Sequence, residues 1–389
     1  MTARAHHNPR AGPPARAAGL PGWAAWQGSE PYTLGVEEEV MLLDPGAWGL
    51  AQRIEDVLDA LPEGMRSYVG AETHASAVEL QTDPHGTVRE TVAQLRRLRS
   101  DLHDALEGIG LAAAAAGTHP TAVWSETEIT PAERYHLIHR TMRELAVREP
   151  TYALHVHVGV RNPERAIDLY NRMRAHLPTL LALSGNSPYW QGRDAGFAST
   201  RTVLWHAFPR TGMPRRWFAY DEWVEAVDLQ IRAGALPEPT FLWWDVRPQP
   251  RHGTVEVRVM DAQTEIGDTA ALVALVQSIA RLELEEGYVS GTIVAAEEVL
   301  AENRFIAARD GMQARLIDTT RETLRPVGEL LEDLLHAAAP HAAELGCEDA
   351  LEDVRRLAAD PGAARQRRVE AQRGGLSETV AALARQFLA

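Results

Sequence analysis

Tyr32-Thr33-Leu34-Gly35-Val36-Glu37-Glu38-Glu39-Val40-Met41-Leu42-Leu43 is the stretch from which the rest of the chain is read. It alternates, is rich in strand formers and runs into the turn signal Asp44-Pro45-Gly46, so a β-strand is expected. Side chains on a strand point alternately to opposite faces. Glu37 and Glu39 therefore share one face, and Glu38 takes the other. Two carboxylates side by side repel unless a cation lies between them. The bland alternative is a solvated strand face.

Other segments repeat the pattern. Leu154-His155-Val156-His157-Val158 sets two imidazoles on one face of an otherwise apolar strand. Histidine is a common metal ligand and a donor to phosphate oxygens, and two on one face favour function over a pair of satisfied core histidines. Val255-Glu256-Val257-Arg258-Val259 puts Glu256 and Arg258 on one face with valines on the other. Upstream, Asp245 and Arg247 share a face, and Arg251 lies in the connection. A structural Glu–Arg ion pair competes here, because a buried charge is costly unless paired. Glu72, and Glu79 seven residues on, are uninformative alone. Together, four or five strands present acid, histidine or arginine on one face. Such a face is expensive unless it holds metal ions, and hard cations such as Mg²⁺ take oxygen ligands against substrate phosphates. The set suits phosphoryl transfer from a metal nucleotide.

Working outward, helices are expected over residues 53–61, 87–109, 131–147, 163–183 and 221–233, and strands over 65–69, 77–80, 152–160, 241–246 and 254–259. Leu111–Ala116 reads as either a buried strand or a helix end. Ser184–Thr202 is irregular, with glycines and the aromatics Tyr189, Trp190 and Phe197, and loops of such length in compact domains are often functional. From Ile266 onward helix follows helix. Strands first and helices last give an α+β fold with helices on one side of an antiparallel sheet. Residues 1–30 are expected to be a disordered leader, with Trp23 and Trp26 docking its end, and residues 31–389 a single domain.

Composition narrows the classes. The 389 residues carry 39 basic and 54 acidic side chains, a formal charge of −15, a poor match for nucleic acid. Every basic residue is arginine, which excludes a lysine-bearing phosphate loop and a Schiff-base lysine. Cys347 is the sole cysteine, so disulfide frameworks and cysteine zinc clusters are excluded and a reducing, cytoplasmic setting fits. No apolar run reaches the ~18 residues a bilayer demands.

The motif around Glu37, with Leu154–Gly159, Ser184–Thr202 and Trp243–Gln263, resembles the carboxylate–amine ligases, also called type-two glutamate–cysteine ligases, over residues 32–380. That family is related in fold to the catalytic domain of glutamine synthetase. The resemblance implies an antiparallel sheet lined with metal ligands, and ATP with Mg²⁺ or Mn²⁺ bound over it. It implies phosphorylation of a carboxylate, typically the side chain of L-glutamate, and attack by an amine such as that of L-cysteine. By the same resemblance Glu37, Glu39, Glu72, Glu79, His155 and Glu256 correspond to metal ligands, His157 to a phosphate contact, and Arg258 to a substrate contact. Arg247 and Arg251 would suit ATP phosphates, Arg201 or Arg193 the transferred phosphoryl or the substrate, and the Ser184–Thr202 loop with Tyr189, Trp190 and Phe197 would select the acceptor. A metal-dependent amidohydrolase is the nearest rival, since His-x-His occurs there too, and a non-catalytic module is a second. Leu316, Leu324, Leu330, Leu331 and Leu334 could pack inward or form a homo-oligomer interface.

Overall fold

A computed structural model describes residues 19–148 and 150–389. Residues 1–18 of the expected leader lie outside the described residues. Residues 19–30 are packed rather than disordered. Trp23 meets Trp223 edge-on at 5.5 Å, the Trp26 indole N–H donates to the Val160 carbonyl at 3.0 Å, and the Gln27 amide donates to Pro250 at 2.9 Å.

The chain runs β1 (Leu34–Asp44), β2 (Gly49–Leu50), α1 (Ile54–Ala60), β3 (Val69–Ala71), β4 (Ala77–Gln81), α2 (Val88–Gly108), β5 (Ala112–Ala114), α3 (Glu133–Met142), β6 (Ala153–Gly159) and α4 (Pro163–Ser184). It continues through β7 (Tyr189–Trp190), β8 (Arg193–Asp194), α5 (Thr200–Trp205), β9 (Thr211–Gly212), α6 (Tyr220–Arg232), β10 (Trp243–Trp244), β11 (Val246–Gln249), β12 (Thr254–Asp261) and α7 (Ile266–Glu285). The remainder is α8 (Gly291–Ala295), α9 (Glu297–Asp310), β13 (Arg315–Asp318), β14 (Thr323–Pro326), and α10 to α13 (Val327–Leu345, Glu348–Ala359, Gly362–Arg373, Leu376–Gln386).

The fold is α+β. Its main sheet has the order β11-β12-β6-β1-β4-β3, with β2 and β5 also paired to β1, and every pair is antiparallel. The back face is apolar and covered by helices: Leu34, Val36, Val40, Leu154, Val156 and Val257 are all buried. Thr87 caps α2 by accepting from the Glu90 amide, while its hydroxyl donates back to the Glu90 carboxylate, a reciprocal cap. Leucines 95, 98, 102 and 106 of α2 are buried, as their spacing requires.

Glu38 is the exception on that back face. It is fully buried and takes two hydrogen bonds from Arg99 of α2, at 2.6 and 2.7 Å. The remaining Arg99 donors reach the carbonyls of Gln263, Thr264 and Phe387, each at 2.7–2.8 Å. One guanidinium with all its donors used thus ties the first strand to the chain beyond β12 and to the end of α13.

Several expected elements differ. Residues 63–65 form a 3-10 turn, and the strand expected over 65–69 begins only at Val69. The strand expected over 241–246 is divided. Trp243–Trp244 pairs in parallel with β9, and Val246–Gln249 pairs with β12. Pro248 is tolerated because β11 is an edge strand, where a missing N–H costs nothing. The β13–β14 hairpin interrupts the helices after Ile266. Gly253 closes the β11–β12 turn with φ +63°, and a side chain there would strike the Gln27 carbonyl.

Of the leucines offered as an interface, Leu316, Leu331 and Leu334 are buried within the subunit, and Leu324 is exposed. No helix among the described residues is long and apolar enough to cross a membrane.

Candidate active site

Strand register brings the polar residues together. On the sheet's open face Glu256 stands opposite His157, Glu37 opposite His155, and Glu39 opposite Glu79. Glu72 follows the end of β3 and joins the last pair. Three groups result, each with ligand atoms within 4.8 Å: Glu37, His157 and Glu256; Glu37, Glu79 and His155; Glu39, Glu72 and Glu79. Glu37, Glu39, Glu72, Glu79 and His155 line a cavity of about 530 Å³. His157 and Glu256 are not on its wall but directly behind Glu37, with His157 Nε2 3.3 Å from the Glu37 carboxylate.

The first end of this row is charge-balanced. Burial alone would raise Glu37, but His157 and a 3.0 Å contact with His155 Nδ1 hold it well below the usual carboxylate range. Burial acts the same way on Glu256, and Arg247 and Arg258 overcome it. Glu256 accepts from Arg247 at 2.6 and 3.2 Å, from Gln249 at 2.5 Å and from Arg258. Those four bonds fill a carboxylate's lone pairs. The structural ion pair weighed from sequence is therefore present, and a cation reaching Glu256 must displace a partner.

The opposite end is unbalanced. Burial, then the neighbouring Glu39, raises Glu72 to about 8. Burial, then Glu37, raises Glu79 well above its ordinary value, even though the Gln81 amide donates to it. His155 Nδ1 sits at the Glu37 carboxylate, so its Nε2 is the orphan, buried without a hydrogen-bond partner among the described residues. Burial, then Arg258, keeps that ring's pKa low, so the neutral form is favoured. Converging carboxylates that repel one another, beside an imidazole nitrogen lacking a partner, fit a hard divalent cation. Glu39, Glu72 and Glu79 fit it best, with Glu37 and His155 adjoining.

The arginines divide by what holds them. Arg247 uses four of its five donors, on Glu256 and on the carbonyls of Thr240 and Leu242. It orients Glu256 and has one Nη2 hydrogen left over. Arg258 and Arg201 line the cavity, and the Nε of each is buried with no partner among the described residues. Arg201 is docked on β12 through the carbonyls of Arg258 and Val259, both at 3.2 Å. Asp261 lies 3.7 Å from it and accepts from the Ser187 and Ser199 hydroxyls at 2.6 and 2.8 Å. Ser199 in turn caps α5, which carries Arg201. Arg251 is exposed and lines the cavity beside His252, whose ring is 6.0 Å from that of His157. Arg193 is exposed on β8 and lies off the cavity.

The expected acceptor-selecting aromatics are also elsewhere. Tyr189 is buried, Trp190 is exposed, and Phe197 packs on Phe305 at 6.2 Å. None of them lines the cavity. The aromatic lining comes instead from Trp205, Phe208 and Trp243, with Tyr135 of α3. Trp205 follows Arg201 by one helical turn, a spacing that puts both on one face of α5. That is the one sequence signal by which it could have been found.

The family model for glutamate–cysteine ligase family 2 matches residues 33–383. A Rubrobacter xylanophilus protein named "Putative glutamate--cysteine ligase 2-1" is 38% identical over 358 residues, covering 92% of this chain and 95% of that one. A Thermobifida fusca protein named "Putative glutamate--cysteine ligase 2" is 35% identical over 377 residues, covering 93% and 92%. Among solved structures, the glutamate–cysteine ligase of Francisella tularensis in complex with AMP superposes with a TM-score of 0.68 at 14% identity, covering 93% of this chain and 89% of that one. A bifunctional glutathione synthetase from Pasteurella multocida gives 0.66 at 13% identity, covering 92% and 52%. At such identities the likeness is one of fold.

Proposed function

The chain belongs to glutamate–cysteine ligase family 2 and is by that membership an ATP-dependent carbon–nitrogen ligase, and we propose that it activates the side-chain carboxylate of L-glutamate and joins it to an amine such as that of L-cysteine. A carboxylate oxygen of glutamate takes the γ-phosphoryl group of ATP, leaving ADP and an acyl phosphate. The amine nitrogen then attacks the acyl carbon, phosphate departs, and the nitrogen's proton passes to a carboxylate of the cavity. The observation that carries this reading is the single sheet face on which Glu37, Glu39, Glu79, His155 and Arg258 meet around one cavity.

Each residue has a part. Arg258 and Arg201, with their unpartnered Nε atoms, receive the acid and the phosphoryl oxygens, where fixed donors matter more than covalent help. Glu256 and Arg247 hold Arg258 in place. His157 and Arg251 lie at the end suited to the remaining phosphates. Glu39, Glu72, Glu79, Glu37 and His155 would hold Mg²⁺ or Mn²⁺, which when bound neutralises charge on the phosphate oxygens. The test is phosphate release from ATP and Mg²⁺ with L-glutamate, alone and with a panel of amines, together with the mass of any new amide. Amine-dependent release with a matching amide establishes the reaction. Folded protein that binds no nucleotide overturns it.

A further inference from the structure

The cavity has two unlike ends. Around the first residues of β12 it presents Gln249, Arg251 and His252. Toward the last residues of β12 it presents Arg201 and a wall of three rings. Trp205 and Phe208 have centroids 4.8 Å apart, and Trp243 lies 5.8 Å from Trp205 and 6.2 Å from Phe208. Trp205 and Phe208 are half-buried, so ring surface is left toward the cavity. The wall is also braced by its neighbours, of which Arg134 itself lines the cavity. The Arg210 guanidinium sits 5.5 Å from the Trp243 ring and Phe241 5.6 Å from it, and Arg134 covers Phe241 at 5.2 Å. Fixed rings of this kind recognise apolar surface, best of all another ring in a stacked or edge-on arrangement.

We infer that the amine substrate carries an apolar group, an aromatic ring fitting best, which packs on Trp205, Phe208 and Trp243; this rests on the reading of the chain as a glutamate-activating ligase. The phosphates have their charged end, and Arg201 beside the wall meets the acid, so the uncharged rings face the place from which the second substrate approaches. A cysteine side chain is too small to cover three rings. Apolar pockets discriminate by roughly 10–200-fold per methylene, so a phenyl group is favoured over a bare methyl by at least about tenfold. Adenine is the other planar ring in the reaction, and the test separates the two.

The full chain is titrated calorimetrically, in the presence of ADP, Mg²⁺ and L-glutamate, with 2-phenylethylamine, ethylamine and L-cysteine. ADP is titrated separately. The expected result is 2-phenylethylamine binding at least about tenfold tighter than ethylamine. Trp205→Ala, and independently Phe208→Leu, should bring that ratio toward one and leave ADP affinity within about twofold. Equal affinity for the two amines in the unmodified protein overturns the inference, and so does tightest binding of L-cysteine. ADP affinity falling tenfold in Trp205→Ala with the amine ratio intact assigns the wall to adenine and overturns it too. If both variants misfold by circular dichroism, the ratio in the unmodified protein decides. Failure of the ligase reading shows separately, as no amine-dependent phosphate release with any amine, and leaves the binding ratio readable.

Discussion

His119 should make the protein acid-sensitive through one ring nitrogen. The residue is 3% exposed. Its Nδ1 accepts from the backbone amides of Thr121 at 3.2 Å and Ala122 at 3.0 Å, which fixes the tautomer, so Nε2–H donates to the Trp48 carbonyl at 2.9 Å. Burial pushes the pKa from 6.5 down to about 4, against a smaller opposing effect of the Trp48 bond. The native state therefore holds the ring neutral. The unfolded chain binds the extra proton between those two values, so the stabilisation is complete above pH 6.5 and falls as pH drops toward 4. Linkage puts the loss at about 2 kcal/mol at pH 5 and about 3 kcal/mol below pH 4. His119→Asn keeps an oxygen for the two amides and removes the titration. Urea unfolding of both proteins at pH 7 and pH 5 gives the difference of differences, in which other titrating groups cancel. The unmodified protein should lose about 2 kcal/mol more than the variant. Equal losses would falsify the assignment of the neutral tautomer.

Three further outcomes follow from the geometry. Glu79→Gln removes one of three repelling carboxylates, so the melting temperature in EDTA should not fall, while the rise produced by MnCl₂ should shrink and amide formation should drop at least about 100-fold; a full MnCl₂ response would place the cation elsewhere. Arg99→Met strands the buried Glu38 carboxylate and should cost about 3–5 kcal/mol in urea unfolding, and a loss under 1 kcal/mol would show the pair to be dispensable. Arg201→Lys keeps the charge but not the planar fork, and should raise the KM for L-glutamate about tenfold or more while ATP affinity holds; initial rates against glutamate concentration decide this.

Much of the site was legible because strand period does the sorting. Glu37 and Glu39, His155 and His157, and Glu256 and Arg258 share faces by alternation alone, and the register then sets them side by side. Glu72 and Glu79 were uninformative in sequence, since their meaning is the proximity of Glu39, which only pairing creates. Glu38 pointed away from the site as expected, but its partner lies 61 residues on, in a helix, and no local pattern marks it. An arginine with all its donors free and one tied to Glu256 have the same spelling, so the tie of Arg247 to Glu256 could be weighed in sequence but not decided there. The aromatic wall was missed for a similar reason: Trp205 and Phe208 stand at and just past the end of a short helix and meet Trp243 only through the packing of β9 on β10. The ordered 19–30 segment depends on indole contacts with residues about 130–200 positions away, beyond any window of composition.

The Arg99 junction also bears on the order in which the molecule is assembled. The guanidinium that anchors Glu38 needs the Phe387 carbonyl, 288 residues further along. On an emerging chain the strand that bears Glu37 and Glu39 would have its acidic back residue matched early by α2, yet one arm of that arginine would stay unsatisfied until α13 arrives. Closure over so long a separation is slow and comes late. The strand that bears Glu37 and Glu39 therefore receives this last brace only once α13 has been made, so a chain cut short before Phe387 should unfold more easily than the full one.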